Sequence, residues 1–225
     1  MDIDPTFLRN GLLTYILLVA SLSIHEWAHA ILADRLGDDT PRMEGRVTLN
    51  PLAHLDLFGT VIIPLFNIFV VGSAFSFVAW AKPVRVNPSN FRHRVRDDVL
   101  VTLAGPAANA VIALVAIVVG SFLVAAQPPM AELVHRVVLM NVGLAVFNLL
   151  PIPPLDGGTL LRHLVGMSEE TFTTISRFSG VVLLIAINIR GFQEAIGTMV
   201  GLALIPYIKL GFLINPSALM LIFSS

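Results

Sequence analysis

Uncharged apolar stretches follow one another along almost the whole chain. The clearest are 11–24, 57–81, 99–126 and 137–155, and an apolar but interrupted region covers 172–223. A helix needs about 20 mostly apolar residues to cross the roughly 30 Å hydrocarbon core of a bilayer. The pattern therefore predicts an all-α membrane protein, a polytopic bundle of about five or six helical segments.

The stretch 57–81 carries no charge but contains Pro64 and Gly72. Five basic residues follow between Lys82 and Arg96, and basic residues also follow the first apolar stretch. Loops rich in Lys and Arg stay on the cytoplasmic side of a membrane. Both flanks of 57–81 are then cytoplasmic, which predicts a short β-like or re-entrant segment around 57–90. A simple crossing by 57–81 is the alternative.

The composition limits the class of protein. Hydrophobic residues make up 56% of the 225 residues and charged residues 13%, which excludes a soluble monomer and a disordered chain. The net charge of −1 offers no basic surface for nucleic acid. Because the chain has no cysteine, any metal must be held by His, Asp or Glu. The acidic N-terminus lacks the positive region of a signal peptide, so the first apolar stretch is expected to be retained.

His25 and His29 lie four residues apart in the first apolar stretch, in the sequence His-Glu-Trp-Ala-His. On a helix this spacing puts both imidazoles on one face, where they can bind one metal ion. Glu26 lies close enough to contact a metal-bound water. This is the HExxH pattern, in which the histidines bind zinc and the glutamate is the general base of a metalloprotease. Ionisable groups inside a membrane helix are costly, which favours a functional site over a polar cluster that only ties helices together.

A catalytic zinc normally has three protein ligands, so a further acid or histidine is required. Asp156 is the candidate, because it follows the sequence Leu-Leu-Pro-Ile-Pro-Pro-Leu and precedes Gly157 and Gly158. Prolines interrupt a helix, and irregular backbone at membrane depth is tolerated where protein buries it or where it lines a wet cavity. The two glycines allow close approach of the backbone. The alternative is that Asp156 caps the helix that begins near Gly158.

These residues resemble the site-2 protease family of intramembrane zinc metalloproteases. The resemblance is carried by the motif at 25–29, by the segment from Asn148 to Gly157, and by Gly-Pro-Ala-Ala-Asn at 105–109, which is similar to the family's Gly-Pro-x-x-Asn. The segment 80–88 resembles the strand-forming loop of small prokaryotic members. The matches extend from the first helix to about residue 160.

The resemblance implies a role for each residue of the site. His25, His29 and Asp156 would ligate one zinc ion per chain, and Glu26 would be the catalytic residue. Asn148 would contact the substrate backbone near the scissile bond. The substrate would be a transmembrane segment of another membrane protein.

The resemblance also implies a domain organisation and a location. The range 1–225 is expected to form a single intramembrane metalloprotease domain, with a core at 8–165, C-terminal helices at 170–225, and neither a PDZ nor a nucleotide-binding domain. We expect a multi-pass protein of a prokaryotic cytoplasmic membrane. Its active site should lie toward the cytoplasmic half, because Arg35 follows His29 within about 9 Å of helix rise.

Two other functions use the same residues. A membrane zinc carrier or sensor would bind the metal without hydrolysis, but it needs no acid beside the metal-bound water, where Glu26 is expected. A degenerate relative acting as a binding scaffold is disfavoured, because every residue that the chemistry needs is present. The leading hypothesis is therefore a zinc endopeptidase that hydrolyses a peptide bond in or near a transmembrane segment.

Other polar residues favour structural roles. His54 and Asp56 are expected to cap or brace the loop before the second apolar stretch. Asn109 and Asn141 are expected to form hydrogen bonds between helices. Gly105, which precedes a proline, is expected to allow a kink and close helix approach.

Overall fold

The computed structural model describes residues 4–71 and 79–224, and this part of the chain is largely helical. Its α-helices are α1 Pro5–Leu36, α2 Thr40–Met43, α3 Ile63–Phe66, α4 Arg94–Ala126, α5 Ala131–Asn148, α6 Asp156–Val165, α7 Glu169–Ala186, α8 Arg190–Ile214 and α9 Pro216–Phe223. Short 3-10 turns occur at Pro51–Ala53, Pro88–Asn90 and Pro128–Met130.

Four helical stretches are long and apolar enough to cross a membrane: α1, α4, α8 and Pro128–Asn148, which contains α5. The shorter apolar stretch Leu57–Val70 and the 18-residue helix α7 add two further segments. The prediction of an all-α membrane protein with about five or six helical segments is confirmed. The expected C-terminal helices at 170–225 are α7, α8 and α9.

The region around 57–90 begins as a helix. Two π-helical stretches, Leu57–Ile62 and Asn67–Val71, flank α3, so that 57–71 is one helical segment. Residues 79–87 form neither helix nor strand, and the described part of this region contains no strand. Residues 72–78 lie outside the described residues. The choice between a re-entrant segment and a crossing therefore stays a prediction.

His54 and Asp56 stabilise the start of this helical segment. The Asp56 carboxylate accepts hydrogen bonds from the backbone N–H groups of Phe58 at 3.0 Å and Gly59 at 2.7 Å, which caps the helix. His54 is buried, and its Nε2 donates to the carbonyl oxygen of Thr48 at 2.9 Å. Both residues cap or brace the loop, as the sequence predicts.

The chain forms two compact units, Met1–Ala108 and Asn109–Ser225. In the first unit, α1 packs against α2, the 3-10 turn at 51–53 and the residues 67–71. A small buried cluster of Ala33, Phe91 and Val101 joins the C-terminal half of α1 to the start of α4. The histidine pair of α1 belongs to this unit.

In the second unit, α5, α8 and α9 pack against one another. Two buried amides lie at the start of this unit and within α5. Asn109 donates from Nδ2 to Oδ1 of Asn141 at 2.9 Å, and Asn141 donates to the carbonyl oxygen of Val137. The predicted hydrogen bond between helices is confirmed, and it pairs a donor of one buried amide with the acceptor of the other.

Both ends of α1 carry the signals expected of helix termini. Asp4 accepts a hydrogen bond from the backbone N–H of Thr6 at 2.9 Å, and Pro5 occupies the first helical position. At the other end, Gly37 adopts a left-handed conformation with φ of 112°, which glycine tolerates and most residues do not. These signals fix the helix that bears the histidines.

Candidate metal centre

His25 and His29 lie on one face of α1 and are both buried, with 3% and 8% of their surfaces exposed. Their Nε2 atoms are 3.1 Å apart. Two nitrogens that bind one tetrahedral zinc at about 2.0–2.1 Å are separated by roughly 3.3 Å. The observed separation matches that geometry, so the pair fits a shared metal ion with little movement.

The carbonyl oxygen of Val101 fixes the tautomer of His29. It lies 2.7 Å from Nδ1 of His29. Because a carbonyl oxygen can only accept, Nδ1 carries the proton and donates it. The neutral ring therefore presents a lone pair at Nε2, on the side of His25, and metal-binding histidines are commonly oriented by such a bond.

Gly105 of α4 makes room for the two imidazoles. A Cβ atom at this position would overlap Nε2 of His29 and lie 2.6 Å from Nε2 of His25. A side chain larger than that of glycine therefore collides with these imidazole nitrogens. The sequence predicts close helix approach at Gly105, and the structure gives its reason.

Glu26 follows the first histidine and is half-buried. Its Oε2 accepts a hydrogen bond from the backbone N–H of Val84 at 3.1 Å. Val84 belongs to the irregular residues 79–87, whose start is held to the helical segment by a bond from Trp80 N–H to the Gly59 carbonyl at 3.1 Å. The carboxylate next to the histidines is thus oriented by a separate part of the chain.

Asp156 is the first residue of α6, in the second unit. It is half-buried, and its Oδ2 atom is shielded from solvent. Its position depends on the two glycines that follow it. A Cβ at Gly157 would overlap the carbonyl oxygens of Leu149 and Leu150, and one at Gly158 would lie 2.5 Å from the nitrogen of Pro153.

The predicted close approach of the backbone at these glycines is therefore confirmed. The proline-containing segment folds back onto the first turn of α6 and includes a cis bond between Pro153 and Pro154. Leu155 occupies the position before the helix, and its side chain makes no capping bond. Asp156 lies in the first turn, where the positive end of the helix dipole favours a carboxylate.

Asn148 is the last residue of α5 and is half-buried. Its Nδ2 donates to the carbonyl oxygen of Leu144 at 3.0 Å. This bond orients the amide at the entrance to the segment that leads to Asp156. The predicted contact with a substrate backbone stays a prediction.

Sequence reasoning missed two groups of this site, the carbonyl of Val101 and the N–H of Val84. Both are backbone groups: every residue carries a backbone carbonyl, and every residue except proline carries a backbone N–H. No side-chain pattern could have pointed to them. Gly105, in contrast, can be singled out from the sequence, because it lies in the segment that resembles the family's Gly-Pro-x-x-Asn.

Known proteins are similar to this chain in sequence. Residues 124–187 match the model of Peptidase family M50, and this segment contains Asn148 and Asp156 but not the histidine motif. The chain is 33% identical over 180 residues to the protein named "Putative zinc metalloprotease YwhC" of Bacillus subtilis, covering 76% of this chain and 78% of the relative. No solved structure matches significantly.

Two mycobacterial relatives share the name "Putative zinc metalloprotease Rip2". The one from Mycolicibacterium smegmatis is 30% identical over 76% of this chain and 66% of its own length. The one from Mycobacterium tuberculosis is 28% identical over 74% of this chain and 63% of its own length. The chain belongs to Peptidase family M50, the site-2 protease family, as its sequence motifs predict.

Proposed function

We propose that this protein is an intramembrane zinc endopeptidase that hydrolyses a peptide bond in or near a transmembrane segment of a membrane-protein substrate. The observation that carries the proposal is the buried pair of imidazole nitrogens, 3.1 Å apart, on a helix apolar enough to cross a membrane. Membership of a peptidase family supports it. So does the name zinc metalloprotease that its relatives carry.

The zinc ligands in this proposal are His25, His29 and Asp156, for one ion per chain. The donor chemistry supports this set, because imidazole nitrogens and a carboxylate oxygen are among the ligands that zinc takes in proteins. Two neutral imidazoles and one carboxylate are a ligand set that leaves a coordination position open. When bound, zinc polarises the scissile carbonyl and makes a water acidic enough to react near neutral pH.

Glu26 then acts as the general base. It takes a proton from the attacking water and returns it to the leaving amine. Its hydrogen bond with the Val84 N–H limits the rotation of the carboxylate and holds it beside the histidines. Such positioning avoids the entropy cost of finding the reactive geometry in each cycle.

The substrate must unwind, because a helix hides its carbonyl groups in its own hydrogen bonds. Residues 80–88 offer a segment of the chain against which an extended substrate can pair, as in β-strand addition. Asn148 supplies an amide donor for the substrate backbone or for the developing oxyanion. The lipid bilayer delivers the substrate laterally, and the proposal involves no nucleic acid.

The proposed location is the cytoplasmic membrane of a prokaryote, with the site toward the cytoplasmic half. Basic residues after α1 and between 82 and 96 support this orientation, because such loops stay in the cytoplasm. Arg35 lies in the last turn of α1, within about 9 Å of helix rise from His29.

The Glu26→Gln variant tests hydrolysis separately from metal binding. Purified protein and a model transmembrane peptide are compared for cleavage, and metal analysis gives the zinc content. The variant should retain zinc and lose cleavage by a factor of about 100 or more. The exposed Glu170 provides the control, since Glu170→Gln makes the same change outside the site.

Two results would contradict the proposal. Cleavage by Glu26→Gln at the wild-type rate would show that Glu26 is not the base. Zinc binding without any cleavage by the wild-type protein, together with zinc transfer to an acceptor, would instead indicate the carrier or sensor.

A further inference from the structure

A basic cavity of about 280 Å³ lies at one end of the first unit, where the last turn of α1 meets the start of α4. Its lining consists of Arg35, Leu36, Arg92, His93, Arg96 and Asp97. Three exposed arginines thus line a half-open space whose lining includes only one acid. The cavity belongs to neither the histidine pair nor the acid segment of the proposed active site.

The guanidinium groups of the cavity are not compensated by the protein. Within residues 4–71 and 79–224, the side chains of Arg35, Arg92 and Arg96 form no hydrogen bond and no ion pair. Other arginines of the chain do, for example Arg190 with Glu194 and Arg85 with Glu44. Like charges gathered around one space repel one another, and an anion between them relieves that repulsion.

The one acid of the cavity has another role. Asp97 is buried, and its Oδ2 accepts a hydrogen bond from the backbone N–H of His93 at 2.9 Å. This bond orients the start of α4. With three arginines against this single carboxylate, the cavity carries a net positive charge even when His93 is neutral.

The walls of the cavity are held in place by Asp38, which follows α1 and has 0% of its surface exposed. Its carboxylate accepts hydrogen bonds from the backbone N–H of Asn87 at 2.7 Å, from Nδ2 of Asn90 at 2.8 Å and from the hydroxyl of Thr40 at 2.6 Å. The loop that leads to Arg92 is thereby fixed to the end of α1. Arg35 and Arg96 are helix residues, and Arg92 lies in the loop that Asp38 holds.

We propose that this cavity binds a phosphate group, supplied either by the headgroup of an anionic lipid or by free phosphate. Guanidinium groups bind phosphate oxygens through paired, charge-assisted hydrogen bonds. The cavity lies at the ends of two helices long enough to cross a membrane, and basic pockets at such positions bind lipid headgroups. Its volume is at the lower limit of sites for drug-sized ligands, which suits a headgroup phosphate.

The test compares two triple variants of the full chain purified in detergent. One replaces Arg35, Arg92 and Arg96 with glutamine, and the control replaces Arg9, Arg177 and Arg190, which are exposed outside the cavity. Binding of phosphatidylglycerol in mixed micelles is titrated by native mass spectrometry, with phosphatidylcholine as the neutral lipid. Binding of inorganic phosphate is titrated by calorimetry.

The cavity variant should bind phosphatidylglycerol at least about tenfold more weakly than wild type, and the control variant should stay within about twofold. Competition by inorganic phosphate with the same dependence on the three arginines assigns the site to free phosphate. Binding of the lipid alone assigns it to the membrane. If both triple variants lose affinity equally, or if neither probe binds the wild-type chain better than phosphatidylcholine, the proposal is overturned.

Single variants cover the case in which the triple variant does not fold. Arg92→Gln, Arg96→Gln and Arg35→Gln should each weaken binding of the same probe by about fivefold, while Arg177→Gln leaves it unchanged. If all four single variants bind the probe with equal affinity, the proposal is also overturned.

Discussion

Glu26 and Val84 are joined by a hydrogen bond of 3.1 Å, from the backbone N–H of Val84 to Oε2 of Glu26. The two residues are 58 positions apart in the chain. The bond connects the helix that carries the histidines to the irregular residues 79–87. In the proposed mechanism it orients the general base, so its loss should affect turnover more than metal binding.

Val84→Pro removes that N–H group. We expect kcat for a model transmembrane substrate to fall by about ten- to a hundredfold, because the carboxylate is no longer fixed near the reacting water. Zinc content should not change. Val84→Ala is the matched control, since it removes the side chain and keeps the N–H. Equal kcat values for the proline variant and wild type would contradict the orienting role.

Gly105→Ala places a methyl group against the imidazoles of His25 and His29. Alanine normally favours a helix over glycine by about 1 kcal/mol, but here the collision should dominate. We expect the affinity for zinc to fall by about ten- to a hundredfold, measured by competition with a chelator. Gly197 of α8 has nothing within 4 Å of its Cβ position, so Gly197→Ala should leave zinc affinity unchanged. Unaltered zinc affinity in Gly105→Ala would show that the imidazoles do not need this space.

The stability of the first unit should depend on the charge of Asp38. Burial acts to raise the pKa of this carboxyl, but hydrogen bonds from Thr40, Asn87 and Asn90 outweigh it and hold the pKa below the ordinary 3.8. A group with a lowered pKa stabilises the folded state above its unfolded pKa, and the stabilisation is lost as the pH falls through the folded pKa.

Asp38→Asn should therefore lower the free energy of unfolding by about 2 kcal/mol at pH 7. The difference from wild type should shrink as the pH falls below about 4, where the wild-type carboxyl begins to take up a proton. Thermal unfolding in detergent over a range of pH measures this, with the exposed Asp39→Asn as control. A difference that is the same at pH 7 and pH 3 would argue against the role of the charge.

The amide pair Asn109 and Asn141 should show coupling in a double-mutant cycle. Each alanine variant leaves a buried partner without its bond, whereas the double variant removes both groups. We expect a coupling energy of about 0.6 kcal/mol, and at most about 2 kcal/mol, from unfolding in mixed micelles. Strictly additive effects of the two substitutions would show that the bond contributes nothing to stability.

Much of the fold follows from the sequence because lipid imposes a simple rule. A backbone in hydrocarbon must satisfy its own hydrogen bonds, so long apolar stretches become helices. This holds for α1, α4 and α5. The ends of α1 also follow from local chemistry, since Asp4, Pro5 and Gly37 are residues that start and stop helices.

The region around 57–90 is harder to predict from its sequence. Pro64 does not end the helical segment 57–71, and it lies in α3 directly after the π-helical stretch Leu57–Ile62. The first π-helical stretch also contacts a distant residue, through the bond from Thr60 Oγ1 to the Trp80 carbonyl at 2.8 Å. Contacts of this kind leave no periodic trace in the sequence.

The candidate site likewise has some residues that the sequence predicts and some groups that it does not. Ionisable side chains stand out in an apolar chain, so the candidate ligands His25, His29 and Asp156 are visible in the sequence. The backbone groups of Val84 and Val101, which orient Glu26 and His29, carry no such signal. Sequence reasoning therefore reaches the metal chemistry but not the parts of the site that position it.

The zinc content of Asp156→Asn tests the central claim most directly. Wild-type protein, Asp156→Asn and the exposed control Asp39→Asn are purified in detergent, and metal analysis gives zinc per chain after dialysis against a mild chelator. The account predicts about one zinc in wild type and in the control, and loss of zinc and of cleavage in Asp156→Asn. One tightly held zinc and wild-type cleavage in Asp156→Asn would contradict it.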